Sequence, residues 1–135
     1  MKKKRKVTIT ILCLLALLTL VTLIPMFTTF YRRPRNMIRS HILRITPLGA
    51  SIEDVIDIVE SREDWYVRHI SFERGFQLEA PGFPVIGEMS VRVHLGTYRT
   101  WHKWFPLMEW DVDIFWGFDM NGRLIEVHIR KLGMS

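Results

Sequence analysis

The chain has 135 residues, 48% hydrophobic and 24% charged, which allows one ordinary domain at most. Its formal charge of +5 is unevenly placed: residues 1–45 hold ten Lys or Arg and no acid, whereas residues 46–135 hold nine against fourteen Asp or Glu. The larger part therefore carries −5, which argues against nucleic acid as a partner, because phosphate-backbone binding needs a basic face on the domain itself.

Residues 1–6 are a basic tail with five consecutive cations, Lys2 to Lys6. Residues 7–30 carry no charge and read as a transmembrane anchor. Taken as helix, Val7–Phe27 spans roughly 31 Å, about the thickness of a bilayer's hydrocarbon core. The rival reading is a secretory signal peptide. Its apolar stretch is usually shorter and ends in small residues, whereas "IPMFTTFYRR" offers large ones. Cys13 follows Leu12, where a lipid-attachment site needs a small residue, and a lone cysteine allows no internal disulfide. Cations flank the span on both sides, with Arg32, Arg33, Arg35, Arg39 and Arg44 after it. The denser tail is expected to stay in the cytoplasm. The expectation is a single-pass protein of the cell membrane, touching lipid through residues 7–30, with an extracytoplasmic C-terminal domain.

Residues 31–48 form a juxtamembrane linker or helix. Met37, Ile38, His41, Ile42 and Ile45 fall at helical spacing, which suits either a helix at the membrane surface or a stalk helix packed on the domain. The second is the plainer reading. Pro47 and Gly49 end it.

Residues 49–135 read as an α+β domain. In "SIEDVIDIVESRED", Ser51 is a good N-cap, Glu53 and Asp54 suit the positive end of the helix dipole, and Ile52, Val55, Ile56 and Val59 form one buried stripe. "WYVRHISF" (65–72) is β-rich with imperfect alternation. "RGFQLEAPGFPVIGE" holds two Pro and three Gly and reads as a long loop or edge excursion. "MSVRVHLGTY" alternates: Met89, Val91, Val93 and Leu95 face one way, Ser90, Arg92 and His94 the other. "WDVDIFWGF" puts Val112, Ile114, Trp116 and Phe118 opposite Asp111 and Asp113. "RLIEVHIRK" puts Ile125, Val127 and Ile129 opposite Glu126, His128 and Arg130. The last two runs join through "DMNG", where Asn121-Gly122 suits positive φ in a tight hairpin. The expected fold is a two-layer domain: one or two helices on an antiparallel sheet of about three to four strands.

Chemistry is sparse. No Gly-rich phosphate loop, Cys pair or His-Glu-x-x-His is present. His94, His128 and Asp113 share the polar sheet face and are the one conceivable metal set, but Arg92 and Arg130 sit among them. Asp111 and Asp113 also face one way, and pairing with Arg92 or Arg130 explains them without catalysis. Neither a cofactor nor a metal is assigned, and no enzyme is expected. The unusual segment is "TYRTWHKWFPLMEW" (97–110), with three Trp and a Phe within ten residues. It either tucks over one end of a small core or forms an exposed aromatic loop that docks on a partner or membrane. Trp101, His102, Lys103, Trp104 and Phe105 are the expected contact surface.

"PLGASIEDVIDIVES", "GEMSVRVHLGTYR" and "DIFWGFDMNGRLIEVHIRK" resemble short, uncharacterised single-span proteins of Gram-positive bacteria. The order of elements also resembles the SmpA/OmlA domain of BamE-like lipoproteins. Gly49, Ser51, Asp54 and Val55 match its helix start, and Phe118, Asn121, Gly122, Arg123 and Leu124 match its closing hairpin. The chain departs from that pattern in lacking a lipid-attachment Cys and in its longer Trp-rich insertion. The resemblance implies a scaffold or interaction role. The expected function is a membrane-tethered, non-catalytic binding module with a protein partner. The alternatives are a lipid-surface sensor working through the Trp-rich loop and a metal-binding or enzymatic domain using the polar sheet face.

Overall fold

The computed structural model of the protein describes residues 1–78, 82–100 and 108–134 and resolves into two compact units, Met1–Arg33 and Pro34–Ser135. The first unit holds helix α1 (Lys2–Thr28) and a short 3-10 turn, Phe30–Arg32. From Val7 to Ile24 the large apolar side chains of α1 are exposed. A helix greasy on every side has no place in water. Four of its threonines are satisfied within the helix: Thr8, Thr10, Thr19 and Thr22 donate to carbonyls one turn back at 2.8–3.1 Å. The stretch Lys2–Ile24 is long and apolar enough to cross a membrane.

In the second unit, α2 (Arg35–Ile45) and α3 (Ile52–Glu60) precede six strands. The compact unit starts at Pro34, so the segment 31–48 contributes α2 to the domain. Ile38 and Ile42 are fully buried there. In α3 the Ser51 hydroxyl accepts from the Asp54 amide at 3.2 Å, the expected cap, and Ile52, Val55 and Val59 turn inward. Strands β1 (Tyr66–Ser71), β4 (Met89–Thr100), β5 (Met108–Phe118) and β6 (Leu124–Met134) form one antiparallel sheet in the order β1-β4-β5-β6. The helices and the apolar sheet face enclose the core, where Val91, Val93, Leu95, Val112, Ile114, Trp116, Phe118, Leu124, Val127 and Ile129 are buried. Trp116 sends its indole N–H to Thr46 Oγ1 at 3.0 Å, and Thr46 in turn donates to Ile42 O at 2.8 Å, closing the end of α2 inside the core.

Four details depart from the pattern read in the sequence. First, Ile125 is 44% exposed while Leu124 is 2% exposed. The ladder slips between Phe118↔Leu124 and Gly117↔Glu126, so the bulged residue Ile125 leaves the core face and Leu124 takes it. Second, only Gly122 in "DMNG" has positive φ (71°). The Asp119 carboxylate accepts from the amides of Asn121 and Arg123 at 2.9 Å and shapes a three-residue turn in which one left-handed residue suffices. Third, the excursion 74–88 contains a two-stranded ribbon, β2 (Phe76–Gln77) with β3 (Val85–Ile86), laid on the polar sheet face. Gly117 permits this, since a Cβ there would lie 2.9 Å from the Phe76 ring. Fourth, residues 97–100 and 108–110 belong to β4 and β5, paired as far as Thr100↔Met108. Trp110 stacks on Tyr98 and donates to Thr100 Oγ1 at 2.9 Å.

Two further links tie the helices to the sheet. Gly49 N–H donates to Leu124 O, Leu124 N–H to Ala50 O, and Ile52 N–H to Gly122 O, all at 2.8–2.9 Å. The stretch that starts α3 and the closing hairpin are therefore bonded to each other. From α2, Arg39 donates to Val127 O at 2.9 Å and pairs with Glu126 at 2.7 Å, while Arg35 donates to Lys131 O at 3.1 Å. Side chains thus occupy backbone groups of the outer strand β6 that would otherwise invite a foreign strand.

The bulge yields a sharp expectation for denaturant unfolding of the Pro34–Ser135 unit. Val93→Asp places a charge in the core and should cost more than about 4 kcal/mol, whereas Ile125→Asp should stay within about 0.5 kcal/mol of wild type. Comparable losses from the two changes would mean that Ile125 faces the core after all.

Candidate functional site on the polar sheet face

The unusual feature of the domain is a carboxylate in the middle of its sheet. Asp113 is 3% exposed. A buried carboxylate is costly unless charge and hydrogen bonds compensate it, and here the three other strands of the main sheet contribute. Arg92 on β4 donates through Nε and Nη2 to Oδ2 at 3.1 and 2.7 Å. Arg130 on β6 donates to the same oxygen at 3.0 Å. On β1, Arg68 lies 3.4 Å from Oδ1 and donates to Asp111 at 3.2 Å. His94 Nδ1 lies 3.0 Å from Oδ1, and Thr97 donates to Asp111 at 2.9 Å.

Local structure explains why these groups meet. Asp113 pairs in register with His94 and Arg130, and Arg92 is a diagonal neighbour. Arg68 reaches the face through a bulge between Val67 and His69. That bulge is the physical reason for the imperfect alternation of "WYVRHISF", and it concealed Arg68 from a period-2 reading. His94 Nδ1 also lies 3.1 Å from Arg68 Nη2. One ring nitrogen cannot donate and accept at once. A proton on Nδ1 directed at the carboxylate makes the charge-assisted bond and leaves Arg68 to Asp111. Burial would push the Asp113 carboxyl up, but hydrogen bonds from Arg92, His94 and Arg130 outweigh it and hold the carboxyl below the ordinary aspartate range.

A second, aromatic cluster adjoins the first. Phe115 lies on the polar face yet is 8% exposed, because Phe76 of the ribbon covers it with ring centres 5.4 Å apart. The guanidinium carbons of Arg92 and Arg130 stand 5.2 and 4.8 Å from the Phe115 ring centre, within cation–π range. His128 stacks on Phe76 at 6.1 Å. The structure therefore brings His94 and Asp113 together and places His128 in the aromatic cluster. Among the described residues no group of three His, Cys, Asp or Glu could hold a metal ion. The expected contact surface, Trp101, His102, Lys103, Trp104 and Phe105, lies outside the described residues.

Asp113→Asn keeps the shape and removes the charge, leaving the guanidiniums without their central partner. The expected loss at neutral pH is about 3–5 kcal/mol, the usual cost of breaking a buried pair from one side. The folded-state value of Asp113 is lowered, so its contribution is complete above the ordinary aspartate value of 3.8 and is lost as pH falls through the folded value. The stability gap between wild type and variant should therefore be constant near neutrality and narrow below about pH 4. A gap that is absent at pH 7, or unchanged in acid, would contradict the assignment.

No protein-family model, curated protein or solved structure matches the chain, so what this face does has to be read from its own geometry.

Proposed function

We propose that the protein is a membrane-tethered, extracytoplasmic binding module of the cell membrane, without catalytic activity, anchored through residues 7–30. Its partner, a protein, is met on the polar sheet face and at residues 101–105, the segment joining β4 to β5. The observation that carries this reading is the state of Asp113. A general base needs a carboxylate raised toward neutral pH and open to substrate. Asp113 is the reverse: shielded, lowered, and engaged by groups from the three other strands of the sheet. Such a network suits a rigid face that presents guanidinium groups to something else. The SmpA/OmlA-like order of elements supports the same role, although a shared fold does not transfer a partner.

Photo-crosslinking in native membranes tests the proposal. A photoreactive residue at Arg99, on the polar face, or at Trp104 should give one defined adduct; the same residue at Glu53, on the exposed side of α3, should give none. The full-length chain should also stay in the membrane after alkaline washing, at unprocessed mass. Indiscriminate adducts from all three positions would refute a specific binding face, and a soluble form beginning near Arg32 would refute the anchor.

A further inference from the structure

Beside the Asp113 cluster a cleft of about 230 Å³ opens between β1, the turn entering β2, and the polar face of β4 and β5. Its lining includes His69, Arg74 and Arg92 together with Phe76 and Phe115, and among the described residues no acid lines it. In a domain with more acids than bases this is a local concentration of positive charge.

The two arginines are used differently. Arg92 gives two nitrogens to Asp113 and rests on Phe115, so its position is fixed. Arg74 is exposed, and among the described residues no acid pairs with it or with His69. Yet the Arg74 backbone is held on both sides. Its N–H donates to Ser71 Oγ at 3.1 Å, and its carbonyl accepts from Ser90 Oγ at 2.9 Å, with Ser90 buried. Gly75 follows, where a Cβ would meet Ile86 O, so the turn that presents Arg74 is specified by sequence. An arginine rooted on a fixed turn, a second guanidinium held in place and an imidazole line one cleft, and these are donor types that recognise oxyanions. The volume lies below the roughly 300–1,000 Å³ of pockets for drug-sized ligands, so the occupant is a small group.

We infer that this cleft binds a phosphate-type oxyanion, free or as the headgroup of an anionic lipid. The anion sits between Arg74 and Arg92 with His69 as a further donor, and any carbon attached to it lies against Phe76 and Phe115. The inference deepens the binding-module reading, on which it rests, by giving that face a ligand class.

The test is calorimetric titration of the full-length protein in an uncharged detergent at fixed ionic strength. The probes are inorganic phosphate and glycerophosphoglycerol, a water-soluble phosphodiester headgroup. At least one should bind saturably at one site. Arg74→Gln should weaken it tenfold or more with an unchanged melting temperature, and Arg74→Lys should lose less. Arg44→Gln, which removes an exposed arginine from the last turn of α2, should change it less than twofold. Preference for the diester assigns the site to lipid, and preference for inorganic phosphate to the free ion. Failure of both probes, or equal losses for Arg74→Gln and Arg44→Gln, overturns the inference. A polar-face cross-link that persists in protein binding neither probe would leave the module intact and remove only the cleft. Saturable binding without any cross-link would do the reverse.

Discussion

A negative charge taken out of water in the centre of a sheet constrains everything around it. Asp113 is tolerable only while Arg92, Arg130, Arg68 and His94 surround it, and these come from β4, β6 and β1. A slip of one residue in any of those strands would turn its cation to the opposite face and leave the carboxylate short of a partner. The cluster therefore specifies register as well as charge. It also fixes the guanidinium of Arg92, whose Nε and Nη2 are both turned toward Asp113.

The opposite face obeys a different constraint. There the helices α2 and α3 cover an apolar surface, and the few polar groups caught inside are answered one by one, as with Trp116, Thr46 and Ile42 O. Strand β5 shows both regimes at once. Its residues Val112–Phe118 are buried on each side, under the helices on one face and under the arginine cluster and the β2–β3 ribbon on the other. The ribbon converts half of a solvated sheet face into an aromatic wall, and the cleft at Arg74 lies where that wall meets the arginine cluster.

Much of this was legible in the residues. Clean alternation in β4 and β5 marked their inward faces, Ser51 marked the start of α3, and the spacing of Ile38 and Ile42 marked the buried stripe of α2. Pairing of Asp113 with Arg92 and Arg130 followed from strand faces alone. What period-2 reasoning could not supply were the bulges. At Arg68 a bulge delivers a third arginine to the cluster, and at Ile125 one exchanges the core position with Leu124. Bulges answer to neighbouring strands, and a single strand's pattern does not contain them. The ribbon was hidden for a related reason, since strands of two residues leave no periodicity. One signal was there to be used: Phe115 is a large aromatic on the polar side of "WDVDIFWGF", and it needed a cover.

The functional reading joins a helix suited to a membrane, a sheet whose polar face is rigid and rich in arginine, and a cleft lined by cations and aromatic rings. The rigid face and its cleft depend on Asp113 being ionised and held from β1, β4 and β6. The most direct measurement is the carbon chemical shift of the Asp113 side-chain carboxyl followed by NMR through an acid titration. The account predicts that this resonance stays at its ionised position while other carboxyls protonate and moves only at lower pH, below the ordinary aspartate value of 3.8. A midpoint at or above 3.8 would contradict it, because burial would then outweigh the arginines.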